Sequence, residues 1–151
     1  MNYFKLNCDN VRYPVGQDMV LAKNMAKEAC KVFIENIDTK EYGGICVYCT
    51  GSSGAILGSL FIGYYLDTYP DRNIMLYHVK KQGEHHHRES YNTIANSFNI
   101  IIDDCIDTGE TFERVAKHVN KIDCLIVHNG WRVLSNESLS RVENIISYSE
   151  L

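Results

Sequence analysis

The 151 residues suit one compact domain, and a chain of that length buries a sizeable core without metal or disulfide staples. Apolar residues make up 45% and charged residues 23%, an ordinary balance for a globular domain. The net charge of -4 argues against a nucleic-acid or anionic-membrane partner, so an anionic ligand must be held by local chemistry.

The first residues, MNYFKLNCDN, carry neither an apolar h-region nor a cleavage pattern. No apolar run approaches ~20 residues, so no transmembrane helix and a cytoplasmic location are expected. The six cysteines, Cys8, Cys30, Cys46, Cys49, Cys105 and Cys124, fall mostly inside apolar runs and read as reduced, buried thiols. Without repeats or linkers, residues 1–151 read as a single domain. Its segments alternate between strand and helix patterns, the mark of an α/β sheet.

Residues 17–37 predict an amphipathic helix. Ala22, Met25, Ala26, Ala29, Phe33 and Ile37 form its apolar face, opposite Lys23, Lys27, Lys31 and Glu35. Gly43-Gly44 opens a strand from Ile45 to Cys49. Cys46 and Cys49 have redox spacing, but strand alternation sends them to opposite faces. Thr50-Gly51-Ser52-Ser53-Gly54 reads as a loop whose small residues suit an anion nest of backbone N–H groups. A helix follows to about Tyr69, closed by Pro70. Ile74 to Val79 is the next strand. Residues 80–97, KKQGEHHHRESYNTIANS, read as a long polar loop, and loops of that length in small domains are usually functional or mobile. His85-His86-His87 lacks partners at metal-ligand spacing and reads as part of that loop. Ile100 to Ile102 is a central strand entering Asp103-Asp104. A helix is expected from about Thr108, with Phe112, Val115, Ala116 and Val119 as its stripe. Ile122 to Val127 is a further strand, followed by a His128-Asn129-Gly130-Trp131 loop. The last twenty residues allow two readings, a Ser140/Glu143 capping box or an edge strand at Ile145-Ile146.

The segment Asn99 to Thr111, N-I-I-I-D-D-C-I-D-T-G-E-T, carries the chemistry. A buried strand delivers Asp103 and Asp104 to its carboxyl end, where ligands bind in open α/β sheets. Thr108-Gly109-Glu110-Thr111 then opens a helix whose first N–H groups favour phosphate. Paired carboxylates beside a phosphate need sugar hydroxyls or Mg²⁺ to meet. The motif therefore asks for a phosphorylated, hydroxylated ligand.

This string resembles the signature with which type I phosphoribosyltransferases bind 5-phosphoribosyl-1-pyrophosphate (PRPP). The likeness covers Ile100 to Thr111, with Asn99 and Cys105 departing mildly from the usual aliphatic residues. It implies a mostly parallel, Rossmann-like sheet flanked by helices, with a small hood. It also implies that Asp103 and Asp104 bind the ribose hydroxyls and hold Mg²⁺, directly or through water. Thr108, Gly109, Glu110 and Thr111 would cradle the 5-phosphate. Asp107 would lie near the reacting base nitrogen as the catalytic group. Thr50, Gly51, Ser52 and Ser53 resemble the family's pyrophosphate loop. Lys80 and Lys81 stand where members often carry a basic pair, and with Arg88 they would neutralise departing pyrophosphate while the loop after them closes over PRPP. Trp131 and His128 are the candidates to stack on and read the base.

The reaction so implied transfers the 5-phosphoribosyl group from Mg-PRPP to a nucleobase, giving a nucleoside 5′-monophosphate and pyrophosphate. Asp107 before Thr-Gly resembles the 6-oxopurine branch. That branch expects a lysine on the strand after the motif, and Ile122 to His128 contains none. An orotate or other pyrimidine enzyme, and a non-catalytic PRPP- or nucleotide-binding regulator on the same fold, remain as alternatives. The likeness further implies a homodimer.

Overall fold

A computed structural model describes residues 1–8, 18–79, 94–119 and 121–148. In chain order the elements are β1 (Asn2–Lys5), α1 (Met19–Asn36), β2 (Gly44–Cys49), α2 (Gly51–Thr68), β3 (Ile74–His78), β4 (Ser97–Cys105), α3 (Glu110–Ala116), β5 (Ile122–Asn129), a 3-10 turn (Trp131–Val133), α4 (Asn136–Leu139) and β6 (Val142–Ser147). The six strands form one sheet in the order β1-β6-β5-β4-β2-β3, and every pairing is parallel. The expected α/β architecture is thus present.

Parallel strands need helical crossovers, and the helices bury both faces of the sheet. On one face α1 and α2 pack over Ile45, Val47, Ile100, Ile102 and Ile126. Phe33 of α1 meets Phe61 of α2 edge-on at 5.5 Å, and Asp18 caps α1 by accepting from the N–H groups of Val20 and Leu21. On the other face Phe112, Val115 and Ala116 of α3 join Trp131 and Leu134 over Ile101, Leu125, Val127 and Ile145. The alternation expected of Cys46 and Cys49 holds, since they belong to opposite faces. All six cysteines are free thiols. No helix among the described residues is long and apolar enough to cross a membrane.

Four boundaries differ from expectation. The segment Thr50 to Gly54, read as a loop, is the first turn of α2, with Thr50 as its N-cap residue. Strand β4 continues through Asp103, Asp104 and Cys105 rather than ending at Ile102. Strand β5 includes His128 and Asn129. The C-terminal segment is a strand, but an internal one between β1 and β5, and Ser140 caps the carboxyl end of α4 rather than opening a helix. β1 was not expected at all; its partner β6 lies some 140 residues away in sequence.

The sheet reverses its winding between β2 and β4. From β2 the chain passes through α2 to β3 on one side; from β4 it passes through α3 to β5 on the other. The connections leaving the carboxyl ends of these adjacent strands diverge, which makes this crevice position the usual ligand position in such sheets.

Candidate functional site

Two sequence segments predicted to bind ligand flank this crevice. From β2 come Thr50, Gly51, Ser52 and Ser53; from β4 come Asp103, Asp104 and the turn through Asp107 to Thr111. Gly54 measures how closely they approach. A Cβ added there would stand 3.3 Å from the Ile102 carbonyl oxygen and 3.7 Å from Asp103 Oδ1. The first turn of α2 therefore lies directly against the carboxyl end of β4.

Asp103 is half-buried and Asp104 buried. Asp103 Oδ1 accepts from the Asp104 N–H at 2.9 Å, and Asp104 Oδ1 from the Cys105 N–H at 2.8 Å. Burial and the charges of Asp104, Asp103 and Asp107 push the Cys105 thiol up to about 11. Burial and then Asp103 push Cys49 to about 12. Both thiols therefore stay protonated near neutrality and are poor nucleophiles. Their shifts also record three carboxylates converging on one strand end.

Asp107 and Thr108 are exposed, and Gly109 adopts φ 87°, a left-handed conformation glycine takes without strain. The Thr108 hydroxyl accepts from the Glu110 N–H at 3.4 Å. A cavity of about 740 Å³ opens beside this turn, between Thr108, Gly109 and Glu110 on one side and Val133, Leu134 and Ser135 on the other. Asp103 and Asp104 do not line it.

Across the crevice, the Thr50 hydroxyl is buried, does not cap α2 and finds no hydrogen-bond partner among the described residues. A buried hydroxyl left unsatisfied costs about 1–3 kcal/mol, and a bound oxyanion would relieve that cost.

The two base-reading candidates are both buried. Trp131 is buried in the core on the α3 face, 6.1 Å from the Tyr3 ring with Arg132 over it. The aromatic that follows a strand end has turned inward to pack. His128 is buried as well. Its Nε2 lies 2.6 Å from the Cys8 carbonyl oxygen, and its ring stacks on Tyr148. Burial lowers its pKa, opposed by the Cys8 carbonyl and by Asp104, the β4–β5 register placing Asp104 beside His128. His128 thus lies beside the candidate acid Asp104 while its ring packs on Cys8 and Tyr148. Lys80, Lys81, Arg88 and the His85-His86-His87 run lie outside the described residues.

Sequence reading passed over Gly130. It has φ 89° and packs on the backbone of Ile106, directly behind the candidate phosphate turn. An Asn-Gly pair past a strand announces a turn, but not what the turn touches.

A scan against protein-family models gives no match to this chain, and a search of curated proteins gives none.

Proposed function

We propose that the chain is a type I phosphoribosyltransferase that transfers the 5-phosphoribosyl group from Mg-PRPP to a nucleobase. One observation carries this reading. The small-residue helix start after β2 and the acid pair at the carboxyl end of β4 flank the same winding reversal, with Gly54 of one 3.7 Å, measured from its would-be Cβ, from Asp103 of the other. Phosphate donors and hydroxyl-binding carboxylates thus stand within one small ligand's reach. The Thr50 hydroxyl supplies a donor, and the Thr108–Thr111 turn supplies backbone N–H groups and two more hydroxyls.

In this reaction the C1–oxygen bond to pyrophosphate breaks, a C1–nitrogen bond to the base forms, and Asp107 accepts the proton that the base nitrogen gives up. Asp103 and Asp104 orient the ribose through its hydroxyls. Mg²⁺ typically binds one or two carboxylates together with phosphate oxygens and water. Two carboxylates at a strand end fit an ion that arrives with the pyrophosphate. No group of three or more His, Cys, Asp or Glu side chains suited to a metal occurs among the described residues, so a closed protein cage for the ion is not part of the proposal. When bound, Mg²⁺ would offset charge on the departing pyrophosphate. Positioning and charge stabilisation would carry most of the rate. Six free thiols fit a reducing, cytoplasmic setting. A dimeric mass by light scattering at micromolar concentration would bear out the implied homodimer.

A second reading, a PRPP-binding regulator without transferase activity, draws on a different observation. Between β5 and β6 the chain has only a 3-10 turn and a four-residue helix, and both aromatic candidates for holding a base are buried. Pyrophosphate release from Mg-PRPP decides between the readings, measured with hypoxanthine, guanine, xanthine, adenine, orotate and uracil in turn. Release with one base, a 6-oxopurine first, supports the enzyme. Tight PRPP binding without release for any base supports the regulator. Absence of both binding and release defeats both.

A further inference from the structure

The candidate phosphate turn has few buried side chains of its own. Asp107, Thr108 and Glu110 are exposed, and only Ile106 and Gly109 are buried. What fixes its conformation comes from the segment after β5. The Ile106 N–H donates to the Asn129 carbonyl at 3.1 Å. Gly130 follows so closely that a Cβ there would overlap the Ile106 carbonyl oxygen and lie 3.0 Å from that residue's N and C atoms. Leu134, buried, brings Cδ2 to 3.4 Å from where a Gly109 Cβ would be. The Ser138 hydroxyl then donates to the Glu113 carboxylate on α3. The two segments meet at the start of the turn, at its glycine and along the helix it opens.

We propose that Gly130 and Leu134 are positioning residues. They brace Ile106 to Gly109 from behind and so set where Asp107 and the phosphate-binding N–H groups point. The proposal rests on the transferase reading and adds two residues to it that act through the turn. A left-handed glycine packed on backbone cannot be replaced without moving one of the two strands of chain, and Leu134 is the side chain that fills the space beside Gly109. Placement matters steeply, since a misplacement of about 1 Å can cost about 100-fold in rate. If these residues were only core filling, their loss would lower stability and leave the turn's geometry alone.

Four variants separate the cases: Leu134→Ala, Leu134→Met, Gly130→Ala and, as a control, Met25→Ala, buried in α1 on the opposite face. All are measured at a temperature where circular dichroism shows them folded. Leu134→Ala should speed amide exchange at Asp107 to Glu110 about 10-fold and weaken Mg-PRPP binding by a similar factor. Leu134→Met should restore both to within about twofold. Met25→Ala should lower the melting temperature without either effect. Gly130→Ala, where it folds, should exceed Leu134→Ala in both. The proposal is overturned if Leu134→Ala loses stability like Met25→Ala while exchange and affinity stay at wild-type values, or if exchange quickens with affinity unchanged. Wild-type protein that does not bind PRPP would sink the transferase reading by itself. The exchange comparison would then still decide whether the brace exists.

Discussion

At the amino end of the sheet, the Asp123 carboxylate accepts from the Asn99 N–H at 2.8 Å and lies 3.7 Å from the Lys121 ammonium, which also meets Glu143 at 2.5 Å. Asn144 donates to the Asp123 carbonyl at 2.8 Å and accepts from Asn2 at 3.0 Å. These bonds cross strands, from β4 through β5 and β6 to β1. At the carboxyl end of β4, the hydrogen bonds from the next residue's N–H to Asp103 and to Asp104 stay inside one strand. Both ends bury carboxylates in the same sheet. One end spends them on register between strands. The other places them where the connections diverge, the position ligands usually take in open α/β sheets. Position relative to the winding reversal, rather than residue type, separates a structural acid from a candidate ligand.

The largest effect should follow from removing the acids at the ligand end. Asp103→Ala together with Asp104→Ala should weaken Mg-PRPP binding at least about 100-fold, since each charge-assisted contact is worth about 1.5–3 kcal/mol. The melting temperature should barely move. Unweakened binding by calorimetry would remove these residues from the site. Next in size, Asp107→Asn keeps the turn's hydrogen-bonding shape and removes the proton acceptor. It should bind PRPP normally and turn over at least about 10-fold more slowly with the true base. Unchanged turnover would show that the exposed carboxylate takes no part in proton transfer.

The same contrast explains which features could be read from sequence. The acid pair and the Thr-Gly-Glu-Thr turn sit in a contiguous string, so their place at a strand end was legible. Asn99, odd beside its aliphatic neighbours, makes sense only through its side chain, whose Nδ2 donates to the Lys121 carbonyl, 22 residues on, and whose Oδ1 accepts from the Ser97 hydroxyl. Asn144 likewise breaks the apolar run of β6, and its burial depends on Asp123 and Asn2 across strands; this left the C-terminal segment ambiguous. β1 has four residues and a distant partner, so local periodicity could not find it. The helix start at Gly51 was hidden because glycine and serine are weak helix formers, and tertiary packing of Gly54 on β4 overrides that preference. The burial of Trp131 and His128 was illegible for a related reason. A residue just past or at a strand end can turn to ligand or to core, and only their contacts with Tyr3 and Cys8 decide it.

The amino end supplies the converse test. Asn144→Leu should cost about 1–3 kcal/mol, because it strips buried polar groups of their partners. Mg-PRPP affinity should remain within about twofold of wild type. Urea denaturation and calorimetry on the same protein check both. A large loss of affinity at preserved stability would mean that this ladder reaches the ligand end, and the contrast between the two ends would collapse.

The smallest effect is the most diagnostic of what Asp123 does. Burial raises its pKa above the ordinary 3.8, and the Asn99 N–H and Lys121 offset this only in part. The folded state therefore holds this proton more tightly than the unfolded state does. The stability this contributes is fully present below 3.8 and is lost as pH rises through the folded value. Above that window the charged carboxylate is a mild burden that its partners make tolerable. Asp123→Asn keeps an oxygen to accept from Asn99 and removes the titration. At neutral pH it should change stability by less than about 1 kcal/mol, because the Lys121 ammonium it gives up is largely exposed and such pairs are weak. On acidification toward 3.8 the wild type should gain stability relative to Asp123→Asn. All other carboxylates are common to both proteins, so the difference between their urea curves isolates Asp123. A wild type that instead loses ground to the variant as pH falls would show a carboxylate stabilised in its charged form. The cross-strand ladder would then be an ion pair favourable in its own right, rather than a buried charge made bearable by its neighbours.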